Sequence, residues 1–380
     1  MAELRFLTAG ESHGPALTVI LEGLPAGLRI DLEKINGDLA RRQQGYGRGG
    51  RMKIETDKAE FLSGVRFGET LGGPIAIQVK NKDFANWTDR MAAFGAPAGE
   101  KVTAARPGHA DLVGVKKYDR ADIRDVLERS SARETAMRVA AGAVTKQFLA
   151  ALGMKISSRV LNIGGVCADS QKSEGNEASE LNCRDAVAEE RMKEKIREAK
   201  EAGDTLGGVF EVVVTGAPVG LGSHIQWDRR LDAKLAAAMM SIQAVKGVEI
   251  GEGFGYAELP GSRAHDEMFY DETGRVVRKT NHAGGLEGGM TNGEPIVLRA
   301  VMKPIPTLMQ PLHSVDIAAR QPVLASKERS DVCAVSAASV VGEAMTAIVV
   351  AGAVTEKFGG DAMRDVAEMV RLYRERIGER

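Results

Sequence analysis

The apolar and polar positions of this chain fall into short alternating runs and longer helix-spaced runs, punctuated by glycine and proline. "ALTVILEGLPAGLRID" predicts a strand, a Gly-Pro turn and a helix that opens near Asp31. "GGPIAIQVKNKD" and "GGVFEVVVTGAPVGLG" predict two further strands with turn signals at their ends. "ERSSARETAMRVAAGAVTKQFLAAL" carries the clearest helical spacing, and Ser131 followed three residues on by Glu134 predicts a capping box at its start. "LNCRDAVAEERMKEKIREAKEAGD" is densely charged and reads as a solvated surface helix, whereas "DRRLDAKLAAAMMSIQAV" reads as a buried small-residue helix. "AASVVGEAMTAIVVAGAV" is apolar but interrupted by Glu343, which predicts a close-packed internal helix over a membrane span.

One echo crosses the chain. "AAGAVTKQF" (140–148) resembles "VAGAVTEKF" (350–358), and each follows an Arg-Ser dipeptide, Arg129-Ser130 and Arg329-Ser330. The two spacings differ, so this is no strict tandem repeat, and an old duplication into two similar halves is the expectation. No flexible linker divides the sequence, which predicts one large α+β domain over residues 1–380.

Composition narrows the picture. With 43% hydrophobic and 27% charged residues in a chain of 380, a substantial core is available. The net charge of −1 supplies no global attraction to nucleic acid or anionic membrane, so any anion must be recognised locally. Cys167, Cys183 and Cys333 form no C-x-x-C pair, which predicts a reducing compartment and no zinc site. "MAELRFLTAG" has an early acid and no apolar signal core, which predicts a cytoplasmic protein.

Several stretches carry candidate chemistry. "GESHGPAL" places Ser12 and His13 between glycines, but neighbours on an extended chain face opposite ways, so a Ser-His relay fails on geometry. In "ARRQQGYGRGGRMKIETD", Arg41, Arg42, Arg48 and Arg51 flank glycines that let backbone amides approach an anion. A nucleic-acid loop remains open for this run, against which stand the neutral total charge and an aromatic share of only 4%. "ARPGHADL" sets Arg106 and His109 on a Pro-Gly turn, as functional groups or as a satisfied structural pair. Arg129, Ser130, Ser131 and Arg133 stand at a predicted helix start, where free amides favour an anion. "NHAGGLEGGMTNGEPI" and "VMKPIPTLMQPL" predict either tight turns or a pre-shaped wall for a flat ligand. Asp331 is an N-cap or a carboxylate for proton transfer. Neither a P-loop nor a strand-linked dinucleotide fingerprint is present.

Taken together these stretches resemble the chorismate synthase family. "GESHGPALTVILEGLP" (10–25), "ERSSARETAMRVAAGAV" (128–144) and "RSDVCAVSAASVVGEAM" (329–345) are similar to its three signature segments, and the other runs match its remaining blocks in order. The resemblance implies a lyase of the shikimate pathway that converts 5-enolpyruvylshikimate 3-phosphate to chorismate and phosphate by anti-1,4 elimination, dependent on reduced FMN. It implies an α+β fold with helices packed between antiparallel sheets, assembled as a homotetramer. His13 would then act as acid for the departing phosphate, His109 would protonate or stabilise the reduced flavin, and Asp331 would assist proton removal through flavin N5. Ser12 and Ser130-Ser131 would support proton transfer or orientation. FMN contacts carried over are Arg129, Ser130, Ser131, Gln243, Ala244, Gly288, Lys303, Pro304, Ile305, Pro306, Thr307 and Arg329. Arg42 and Arg48 would serve substrate or NADPH, joined at the substrate by Arg106 and Arg133. The compact length implies the type supplied by an external flavin reductase, with NADPH acting indirectly, and no metal. Two rival readings are an RNA-binding protein and a flavin-independent phosphate lyase built on His13 and His109.

Overall fold

A computed structural model describes residues 3–50, 54–169, 172, 175–176, 178–328 and 330–379. Its first half runs β1 (Arg5–Ala9), β2 (Ala16–Glu22), α1 (Leu32–Gln43), β3 (Glu60–Ser63), β4 (Val65–Arg66), β5 (Glu69–Thr70), β6 (Ile75–Lys80), α2 (Asp111–Tyr118), α3 (Arg124–Ser130) and α4 (Thr135–Ala150). The second runs β7 (Lys155–Ile163), β8 (Val166–Cys167), α5 (Ala186–Glu201), β9 (Gly208–Thr215), α6 (Leu231–Met240), β10 (Val245–Ile250), α7 (Gly261–Ala264), β11 (Met268–Tyr270) and β12 (Val276–Arg278). It continues with β13 (Leu286–Glu287), β14 (Met290–Thr291), β15 (Ile296–Met302), β16 (His313–Asp316), β17 (Gln321–Leu324), α8 (Val335–Phe358) and α9 (Met363–Arg376).

The two main sheets are antiparallel and repeat one another. The first has the order β1-β2-β6-β3, and the second β10-β15-β9-β7-β8. Reading β7, β9, β10 and β15 as counterparts of β1, β2, β3 and β6 gives the same order in both, with β8 added at one edge. Each half places a helix after its second strand and a long helix at its end. The inward-facing registers also correspond: Leu21 opposes Ile75 in one sheet, and Val214 opposes Ile296 in the other.

The repetition extends to single hydrogen bonds. Thr70 Oγ1 donates to Pro25 O (2.6 Å) and accepts from Leu28 N (2.9 Å). Thr291 Oγ1 does the same with Pro218 O (2.6 Å) and Leu221 N (2.8 Å). Both threonines end a two-residue hairpin, β4–β5 or β13–β14. The echoed segments form the ends of α4 and α8, where Thr145 donates to Gly142 O and Thr355 to Gly352 O. The expected duplication is thus visible as topology.

Helices fill the space between the sheets. α4 lies against β2 and β6, α8 against β7 and β9, and the two helices lie on each other. Small residues allow this approach: a Cβ on Gly142 would stand 2.3 Å from that of Ala344. α8 is long and apolar enough to cross a membrane, yet 89% of its most apolar window is buried, so it is a core helix. Glu343, midway along it, is paired with Arg41 (2.7 Å) and Lys146 (2.7 Å), which is how a charge sits in that helix.

Several local expectations change. Ser131 and Glu134 form no capping box: Ser131 accepts from Arg133 N and caps a 3-10 turn, and α4 begins only at Thr135. The Glu134 carboxylate instead accepts from Thr8, Arg138 and Gln243, whose donors outcompete the distant cap amide. Arg129 and Ser130 therefore close α3 and do not open a helix. α5 is capped by Asp185 and buries a stripe of Ala188, Met192, Ile196 and Ala199. In α6 only Leu231, Leu235 and Met239 are buried.

Candidate active site

The Gly-bounded loop at 10–14 is folded by a turn in which Gly14 N donates to Glu11 O. Ser12 is buried, and its N–H donates to Glu128 O. His13 meets the same residue through its carboxylate. Its Nδ1 lies 2.9 Å from Glu128 Oε1, its N–H donates to Glu128 Oε2 (2.8 Å), and its ring stacks on Trp87 with centroids 4.1 Å apart. Arg124 donates to the same carboxylate (2.8 Å) and to Glu328 (3.3 Å). Burial would raise the Glu128 carboxyl, but the His13 and Arg124 bonds outweigh it and hold it below the usual range.

The Pro-Gly turn at 107–108 delivers a second histidine just ahead of α2. Asp111, at the first position of that helix, accepts from Arg106 N, Nε and Nη2 at 3.0, 2.8 and 3.0 Å. His109 Nδ1 lies 2.5 Å from the same carboxylate. Burial would raise Asp111, but His109 and Arg106 hold it far below the ordinary value. Arg106 Nη1 donates to Thr307 Oγ1 (3.1 Å), and Lys303 Nζ to Gly108 O (3.0 Å), so "ARPGHAD" and "KPIPT" form one wall. Lys303 N donates to Ala244 O (2.9 Å), and Ile305 O accepts from Thr205 Oγ1 (2.7 Å). Burial and the neighbouring Lys246 lower the Lys303 ammonium, a cation pair suited to an anion.

Asp331 is no N-cap, because α8 starts at Val335. It accepts from Gly49 N (2.6 Å) and lies 3.3 Å from Arg48 Nε. Val332 N donates to Gly47 O and Leu206 N to Val332 O, both at 2.8 Å, which ties the Gly-Arg loop to the 203–207 turn.

Arg42 and Arg133 converge on Asp57, at 2.9 and 2.6 Å, in a buried cluster. Arg133 also donates to Asn81 Oδ1 (2.8 Å), while Asn81 Nδ2 donates to Gly14 O (2.8 Å), so the cluster braces the His13 loop from beneath. Burial, against the pull of Asp57 and with Arg133 and Arg48 as cationic neighbours, brings Arg42 down to about 10. Its Nε is buried with no hydrogen-bond partner among the described residues. Sequence reasoning expected these two arginines to face a ligand, and the structure turns them onto Asp57.

Arg129 donates to Thr8 O (2.9 Å) and Thr8 Oγ1 (2.7 Å) and shares with Gln243 a small cavity of about 280 Å³. Gln243 Oε1 is buried there without a partner among the described residues. Gly288 lies in the β13–β14 turn, where a Cβ would stand 3.9 Å from His224 Cβ and Met290 Cε. Arg51 and Arg329 lie outside the described residues. A second cavity, about 1430 Å³ between α1 and the end of α4, has Arg41 alone among the candidate anion-binding residues in its lining, and Arg41 and Lys146 are already paired.

Sequence reasoning missed Glu128, Asp111, Asp57, Asn81 and Trp87. Asp111 was legible as the acid two residues after His109, and Trp87 as one of only two tryptophans. Asp57 and Asn81 gave no local signal.

Comparison with known proteins points one way. Residues 4–355 match the family model described as chorismate synthase. The chain is 57% identical to a chorismate synthase of Geobacter sulfurreducens over 389 aligned positions, covering 98% of this chain and 99% of that protein. It is 58% identical to one of Syntrophotalea carbinolica, covering 99% of each. A solved structure described as "Crystal Structure of Chorismate Synthase" superposes with a TM-score of 0.79 at 45% identity, covering 99% of each chain.

Proposed function

The chain belongs to the chorismate synthase family, a family of lyases, and on that premise we propose that it eliminates phosphate from 5-enolpyruvylshikimate 3-phosphate in the anti-1,4 sense to give chorismate, with reduced FMN as cofactor. The observation that carries this reading is the pair of histidines, each backed by a buried carboxylate, set among arginines and lysines. A substrate with two carboxylates and a phosphate requires such converging cations to offset its self-repulsion.

The residues fit a phosphate-bearing flavin. Gln243 offers a buried, unpartnered acceptor beside Arg129, and Lys303 is a desolvated cation beside Lys246. Arg129, Ser130, Ser131, Gln243, Ala244 and the run Lys303 to Thr307 would hold the cofactor. Gly288 and Arg329 are carried by the resemblance alone. Bound there, reduced FMN would supply transient electron density for loss of phosphate, with no net redox change.

The chain's own groups do the rest. His13 donates a proton to the departing phosphate. His109 stabilises negative charge at the cofactor. Asp331, oriented by Arg48 and Gly49 N, takes part in removing the ring proton. Arg48 and Arg106 bind the substrate anions, while Arg42 and Arg133 hold the His13 loop through Asp57 and Asn81.

We read residues 1–380 as one catalytic domain that works as a cytoplasmic homotetramer, with FMN reduced by a separate reductase and NADPH drawn on indirectly. Leu7 and Ile20, 72% and 45% exposed and opposed across β1–β2, support burial against another copy. The test is an anaerobic assay with dithionite-reduced, oxidised or no FMN, following phosphate and chorismate. Turnover with oxidised or absent flavin overturns the reading, as does salt-sensitive RNA binding without turnover.

A further inference from the structure

Both histidines of the site are held by the same device. His109 Nδ1 meets Asp111, and His13 Nδ1 meets Glu128, at 2.5 and 2.9 Å. The two carboxylates are 0% and 3% exposed. Each is gripped by an arginine, Arg106 on both oxygens of Asp111 and Arg124 on Glu128. Each also accepts a backbone amide, from Arg106 N (3.0 Å) and from His13 N (2.8 Å). No ring of the pair is left to choose its own tautomer.

An ionised carboxylate can only accept, so the nitrogen that meets it must carry a hydrogen. Burial alone would favour the neutral acids, but the cationic and amide donors keep both ionised. Arg106 Nη2 lies 3.1 Å from His109 Nδ1, and a guanidinium can only donate. Two donors cannot share that contact as a hydrogen bond, so the nearer, charged Asp111 decides. Lys303 reaches the His109 turn at Gly108 O, and Asp83 Oδ2 stands 4.0 Å from His13 Nε2. Trp87 fixes the plane of the His13 ring, with Arg124 and Arg90 against the same indole.

We propose that Asp111 and Glu128 are positioning residues that lock His109 and His13 as Nδ1–H tautomers, so that each ring exchanges protons through Nε2 alone. The role in turnover rests on the assignment of both histidines given above; the tautomers themselves do not. A carboxylate behind Nδ1 orients the ring and directs its second nitrogen outward.

The first test needs neither substrate nor flavin. Protein labelled with ¹⁵N in the histidine rings is titrated by NMR, with His13→Gln and His109→Gln identifying two signals among six. Both neutral rings are expected with Nδ1 protonated; an Nε2–H form in either overturns the proposal. The second test uses Asp111→Asn and Glu128→Gln. Each should convert its own histidine to a tautomer mixture and lower kcat about 100-fold, with KM changed less than about threefold. Glu128→Asp should recover part of both the tautomer and the rate. A loss of kcat with unchanged tautomers marks a structural role and overturns the proposal. If a variant fails to fold, the wild-type tautomers still decide. A wild-type protein that forms no chorismate sinks the functional reading while leaving the tautomer result intact.

Discussion

At the scale of single residues, the site is a set of charges whose partners decide their use. His13 and His109 look alike in sequence context, each beside a glycine, and the structure makes them alike in chemistry by giving each a buried acid. Replacing either with alanine should lower turnover by roughly 10- to 1000-fold and leave the circular dichroism spectrum unchanged. Arg48 and Arg42 sit six residues apart on one Arg-Gly run, yet only Arg48 pairs with a carboxylate of the proposed reaction machinery. Arg48→Ala should weaken substrate binding more than FMN binding in parallel fluorescence titrations; equal losses would place the residue elsewhere. The histidines and Arg48 were legible because their motifs are local. The orientation of Arg42 was not, because Asp57 reaches it through a fold that no local pattern encodes.

At the scale of elements, the strand and helix runs were readable from periodicity, and the error fell where side-chain donors compete. The helix expected to begin at Ser131 is cut into α3, a 3-10 turn and α4, since Glu134 is recruited by Thr8, Arg138 and Gln243 from other elements. The repeated Thr hinge makes a sharper test of the duplicated halves. Thr70→Val and Thr291→Val each leave a buried amide and carbonyl unsatisfied and should each cost about 1–3 kcal/mol in urea unfolding. A large cost at one site and none at the other would break the equivalence. At the α4–α8 crossing, Gly142→Val forces the helices apart against Ala344 and should cost about 1–3 kcal/mol through overpacking.

At the scale of the whole molecule, Glu343 links the layers, since Arg41 comes from α1, Lys146 from α4 and Ser158 from β7. Burial raises its pKa, but Arg41 and Lys146 overcome this and bring it from 4.5 to about 2. A carboxyl depressed in the folded state stabilises the fold above its unfolded value and loses that contribution as pH falls. Thermal unfolding followed from pH 6 downward should therefore show Glu343-dependent loss between 4.5 and about 2. Glu343→Gln should remove that part of the slope. The exposed Leu7–Ile20 pair gives the assembly test: Ile20→Lys should shift sedimentation toward smaller species if the outer face of this sheet is covered by another copy.

The sequence by itself determined the strand and helix periods, the core character of α8, the family resemblance and the site motifs. These depend on residue type at short spacing, which the chain carries in plain order. The tertiary structure alone decided which acids stand behind the histidines, which arginines are already taken, and that "ARPGHAD", "KPIPT" and Asp331 belong to loops linked through the 203–207 turn. Those facts depend on contacts such as Glu128 with His13 and Asp57 with Arg133, 115 and 76 residues apart. They exist only once two repeated β-layers have closed on their helices.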